Sequence, residues 1–166
     1  MRSIQIIAVA LCVTAFPSLS IAQSERSLVG TWKLISIASW TDKGDINKTP
    51  LGPNPAGFLS YTSEGRMMVV IAADGRKPLS VADIASAPAE ERAQAYSTFI
   101  AYAGRYTYTG DKVIHHVEVA SLQNNVNTDQ VRAVKLEGDR LTLRTPPISR
   151  GGVLQTWELV WERLKK

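Results

Sequence analysis

Eight runs in this chain alternate apolar and polar residues with a period of two, and that pattern constrains the fold more than any other feature. Alternation of this kind marks a strand with one face buried and one face wet. The first run goes from Leu28 to about Trp40, followed by Gly57–Thr62 and Arg66–Ile71. Tyr102–Thr109, Lys112–Ala120, Gln130–Glu137, Arg140–Thr145 and Val153–Leu164 complete the set. Ser63-Glu64-Gly65, Gly110-Asp111 and Gly138-Asp139 separate neighbouring runs. Glycine in so short a gap is a hairpin signal, so consecutive runs should pair antiparallel. Leu28, Gly30, Trp32 and Leu34 share a face of the first run, and Trp157, Leu159, Trp161 and Arg163 share a face of the last. First and last strands that both present Trp suit a sheet closed on itself. The expected fold is therefore all-β, an antiparallel up-and-down barrel of about eight strands, because closure removes exposed edges.

Two stretches break the alternation. Pro78 to about Ala101 reads as one inserted helix. Ser86 is its expected cap, Pro88 a first-turn residue, and Glu90-Glu91 suit the positive end of the helix dipole. Ala89, Arg92, Ala93, Tyr96, Phe99 and Ile100 form an apolar stripe at helical spacing, as for a helix lying on a barrel wall. Thr41 to Pro55 is a long connection containing Leu51-Gly52-Pro53-Asn54-Pro55, and its prolines argue for a stiff cover.

The 166 residues suffice for one domain. Residues 1–22 read as a signal peptide: Arg2, an apolar stretch from Ile4 to Phe16, and Ser20-Ile21-Ala22 as a small-residue cleavage site. The stretch is shorter than the ~20 residues a spanning helix needs, so no stable membrane insertion is expected after its removal. The expected destination is export, periplasmic or secreted, with 23–166 as the barrel domain. The one cysteine, Cys12, falls in the segment to be removed, so no disulfide would support the mature core. Net charge is +4, and +3 once Arg2 is gone. The basic residues are scattered without interleaved aromatics, which argues against a nucleic-acid partner.

The polar residues that alternation turns inward are the candidates for chemistry. Val134 and Leu136 share a face with Arg132 and Gln130. On the strand before, Val113, His115, Val117 and Val119 face one way, and Ile114, His116 and Glu118 the other. Ligand pockets place a few polar groups among apolar walls. Tyr61, Tyr106, His116, Glu118, Gln130 and Arg132 are the candidate ligand-binding set, with Glu118 or a Tyr hydroxyl as the expected partner of Arg132. The two histidines are adjacent and so cannot ligate one metal from a single strand, and no cysteine remains to help. No nucleophile elbow, phosphate loop or dinucleotide fingerprint is present, so no metal and no cofactor is called for.

Several segments resemble the lipocalin-like domain family of bacterial and fungal proteins. They include Leu28-Val29-Gly30-Thr31-Trp32-Lys33-Leu34, Leu51-Gly52-Pro53-Asn54-Pro55-Ala56-Gly57 and Ala101-Tyr102-Ala103-Gly104-Arg105-Tyr106. His115-His116-Val117-Glu118, Thr128-Asp129-Gln130-Val131-Arg132, Gly138 to Pro147 and Leu159-Val160-Trp161-Glu162-Arg163 are similar to its later parts. The resemblance implies barrel closure by Gly30, Trp32 and Arg163, with the arginine packed across the indole. It also implies a small apolar ligand, and it carries no reaction. Three functions stay open at this point. They are an exported binder of a small, mostly apolar molecule, an isomerase or cyclase working in the same cavity, and a structural domain with a filled core.

Overall fold

The structure is a computed structural model that describes residues 28–44 and 46–165, so the expected signal peptide lies outside the described residues. Ten strands follow in chain order: β1 (Gly30–Thr41), β2 (Ile46–Asn47), β3 (Ala56–Tyr61), β4 (Arg66–Ala72), β5 (Phe99–Tyr108), β6 (Lys112–Ala120), β7 (Asp129–Glu137), β8 (Arg140–Arg144), β9 (Ile148–Arg150) and β10 (Val153–Arg163). Eight of them, β1-β3-β4-β5-β6-β7-β8-β10, form an antiparallel sheet that closes where β10 returns to β1. The short β2 and β9 extend β1 and β10 at the rim. The expected barrel is thus present, with two small strands added in segments that read as loop and turn.

The core is the inner face of this barrel. Trp32, Leu59, Tyr61, Met67, Val69, Leu141 and Trp161 are buried there, and period-two alternation places each one inward. Two irregularities reset that alternation. The β1–β10 register shifts between Leu34 and Ser36, so Trp32 and Leu34 point in before it and Ile37 and Ser39 after it. A second shift between Ala103 and Gly104 leaves Glu118 of β6 unopposed. Val117 points in, while Val119, expected on the same face, is 61% exposed.

The end of the barrel holding the hairpin turns is closed. Thr62 and Arg66 cross the β3–β4 turn, Arg163 N–H donates to the Asp139 carbonyl, and Leu164 N–H donates to the Thr31 carbonyl. Trp32 and Arg163 are register partners, and the guanidinium carbon stands 4.0 Å from the indole centroid. Arg163 Nη1 also donates to the Val29 carbonyl at 2.7 Å, and Trp32 Nε1 donates to the Leu28 carbonyl at 2.9 Å. Gly30 has φ +142°, and a Cβ there would lie 2.7 Å from Arg163 Nη1. The glycine therefore makes room for the arginine.

The opposite end is bordered by the longer connections. Leu51 of the 41–55 connection packs against the core and accepts the Asp74 N–H at 2.8 Å, tying that loop to the end of β4. The helix, α1 (Ala89–Ser97), is much shorter than the expected span of 78–101. Its N-cap is Pro88, while Ser86 instead donates to Asp83 in a separate 3₁₀ turn. Glu90 and Glu91 do sit in the first turn. No residue of α1 is buried, and Phe99 and Ile100 begin β5. The apolar stripe fails as a helix because β5 pairing with β4 captures its last two members.

Candidate functional site

A cavity of about 400 Å³ opens toward the end bordered by the longer connections. Its walls are mainly apolar, from Leu59 of β3, Val69 and Ile71 of β4, Leu143 of β8, and Trp157, Leu159 and Trp161 of β10. The polar groups include Tyr102 of β5, His115 of β6, Gln130 and Arg132 of β7, and Arg150 of β9, with Asn125, Thr145 and Ser149 nearer the rim.

His115 organises these groups. It is 1% exposed, flanked on its face by the buried Val113 and Val117. The Tyr61 hydroxyl lies 2.7 Å from Nε2 and the Tyr102 hydroxyl 3.0 Å from Nδ1, so three strands meet on one imidazole. Burial, then the positive charge of Arg132, then His116, push the His115 pKa down to about 3. The ring is neutral at physiological pH and carries one donor and one acceptor. Burial also raises the pKa of Tyr61 well above its ordinary value, and raises that of Tyr102 against the lowering influence of Arg132. Both phenols keep their protons.

Arg132 donates to the Val131 carbonyl at 2.8 Å and to Gln130 Oε1 at 3.3 Å, and Gln130 Nε2 donates to Thr128 Oγ1 at 3.0 Å. Arg150 stands over the Trp157 ring, 4.3 Å from its centroid, at the rim of the cavity. Burial and the nearby charge of Arg132 lower its pKa.

The candidates read from sequence divide three ways. Gln130 and Arg132 line the cavity. Tyr61 stands behind the cavity wall on His115, and Tyr106 packs edge-on against Tyr61 at 4.7 Å while donating to the Thr62 carbonyl. His116 and Glu118 need correction, because both lie on the outer face. His116 bonds Asp129 at 2.7 Å and Thr107 at 2.9 Å. Glu118 bonds Arg66 and Arg105, so it is not the partner of Arg132. The inner face of β6 is the more apolar set, Val113-His115-Val117, a signal that points to His115 although the sequence reading named His116. Tyr102 shares its run with Tyr106 but was not singled out. Arg150 comes from a three-residue strand with no alternation to read.

The profile of the lipocalin-like domain family matches residues 29–164. The chain belongs to this family. A relative, the 4'-hydroxy-3'-methoxypropiophenone carrier protein of Aspergillus oryzae, is 36% identical over 86 residues, covering 46% of this chain and 78% of the fungal one. Among solved structures, a lipocalin-like protein from Bacteroides uniformis aligns over 83% of this chain and 99% of its own, with 12% identity and a TM-score of 0.43. A protein from Bacteroides eggerthii aligns over 82% and 99%, with 13% identity and a TM-score of 0.42.

Proposed function

We propose that this lipocalin-like chain is an exported carrier holding a small, mostly apolar molecule inside the barrel. The observation that carries the reading is the cavity of about 400 Å³, open at one end and walled by Leu, Ile, Val and Trp side chains. A pocket of ~300–1,000 Å³ suits a small molecule, and an eight-stranded barrel is just wide enough to hold one. Polar groups on β5, β6, β7 and β9 would orient a ligand while the apolar walls hold it. The fungal relative is named as the carrier of an aryl ketone, a molecule of this general character. A cavity of this volume also favours binding over a barrel filled by its own side chains.

Native mass spectrometry of exported protein tests both halves of the proposal. A chain starting at Gln23, carrying a non-covalent small molecule that dissociates on collisional heating, is the expected result. A mass that retains residues 1–22, or adds a lipid on Cys12, overturns export. Protein that stays free of any small molecule after incubation with a library of apolar aryl compounds overturns carriage.

A further inference from the structure

The cavity has a charge asymmetry that a purely apolar ligand leaves unused. Arg132 and Arg150 both line it, and among the described residues no Asp or Glu does. Every ion pair among the described residues uses other cations: Arg66, Arg105, His116, Lys135, Arg144, Arg163 and Lys165. The hydrogen bonds of Arg132 go to neutral acceptors, a carbonyl and an amide. A partly buried cation without a counter-charge is costly, and an anion entering the cavity removes that cost.

Hydrogen-bond directions point the same way. Among the described residues, His115 Nε2 is the hydrogen-bond partner of the buried Tyr61 hydroxyl. Leaving a buried O–H proton without an acceptor is costly, so Tyr61 donates to Nε2. The neutral ring then carries its proton on Nδ1 and donates it to the Tyr102 oxygen, 3.0 Å away. With its oxygen accepting from His115, Tyr102 directs its own O–H away from the ring, and both Tyr102 and Arg132 line the cavity. Trp161 also lines the cavity, and its buried indole N–H has no partner among the described residues. Two guanidinium groups, a phenol O–H and an indole N–H are all donors.

We infer that the carried molecule has an anionic oxygen head, such as a carboxylate or an ionised enol or phenol, seated on Arg132 and the Tyr102 hydroxyl with Arg150 at the rim. This deepens the carrier reading and rests on it. The guanidinium fork of Arg132 matches two oxygens side by side, and the Trp157 and Leu143 walls take the apolar body. Tyr61 and His115 are positioning residues here, since they fix the direction of the Tyr102 proton without touching the ligand.

Calorimetric titration of the mature chain at pH 7 with 2-naphthoate and with 2-naphthamide tests this, because the two share one apolar body and differ in charge. The carboxylate is expected to bind at least about tenfold tighter, the ratio that one charge-assisted hydrogen bond supplies. In Arg132→Gln that ratio should fall toward about one. Arg150→Gln, at the rim and away from the His115 network, should lower the ratio in the same direction and serves if Arg132→Gln does not fold. Equal affinity of the wild-type chain for both compounds overturns the anionic head and leaves the carrier reading standing. A carboxylate preference unchanged by either substitution also overturns it. Failure of both compounds to bind at millimolar concentration overturns the carrier reading, and the anionic head with it.

Discussion

Trp32 joins the beginning of the folded chain to its end. Its indole is fully buried between Leu28 and Arg163, and deleting it would leave a void where β1 meets β10. Trp32→Ala is expected to cost roughly 3–5 kcal/mol, the range for a buried aromatic. Chemical denaturation measures this directly, and an unchanged midpoint speaks against the closure role. His115 gives a second expectation, in pH. Its folded pKa of about 3 lies below the ordinary 6.5, so in that interval the unfolded chain binds the extra proton. Stability is fully present above about pH 6.5 and is lost as pH falls toward 3. The loss is on the order of 5 kcal/mol over the whole interval. His115→Gln removes the titrating group, so its stability should fall less steeply than wild type between pH 6.5 and 4. Parallel acid limbs for the two proteins would contradict a buried neutral imidazole.

Among the strands, β5 and β6 decide what enters the cavity, and the decision turns on a glycine. A Cβ at Gly104 would overlap the His116 carbonyl oxygen and lie 3.0 Å from the Glu118 N–H. Only glycine lets the two backbones approach where the register shifts. Gly104→Ala is therefore expected to destabilise by about 3 kcal/mol or more, at the upper end for over-packing, since backbone cannot yield as a side chain does. It should also loosen the Tyr102–His115 contact, read as a shift of the His115 ring signals in NMR spectra. A variant as stable as wild type would show that the pairing tolerates a methyl group. The same irregularities limit what alternation can tell. Arg132 and Gln130 were legible because β7 runs without interruption and Val134 and Leu136 set its inner face. On β6 each face carries one histidine, and the choice of His116 followed the face that also holds Glu118, whereas the more apolar face with His115 is the one turned inward. Gly104, an isolated glycine inside a strand run, is the local mark of the bulge, but it does not say which residue of the facing strand is left unopposed. In the 78–101 segment, helical spacing extended past Ser97 by coincidence, and pairing with β4 overrode it.

At the scale of the molecule, the barrel and its closure could be read from eight alternating runs, because period and turn chemistry act locally. The site could be read only in part, because its centre is assembled across strands. Tyr61, Tyr102 and His115 come from β3, β5 and β6, and Arg150 from a rim strand that closure brings over the cavity. The central claim is that a small molecule sits inside this barrel, against that assembly. Titrating 2-naphthoate into isotope-labelled protein and following its NMR spectrum locates the ligand most directly. Signals of Tyr102, His115, Arg132 and the Trp157 indole are expected to move together and saturate, while those of His116 and Glu118 on the outer wall stay in place. Shifts confined to the outer wall, or none at saturating ligand, would contradict it.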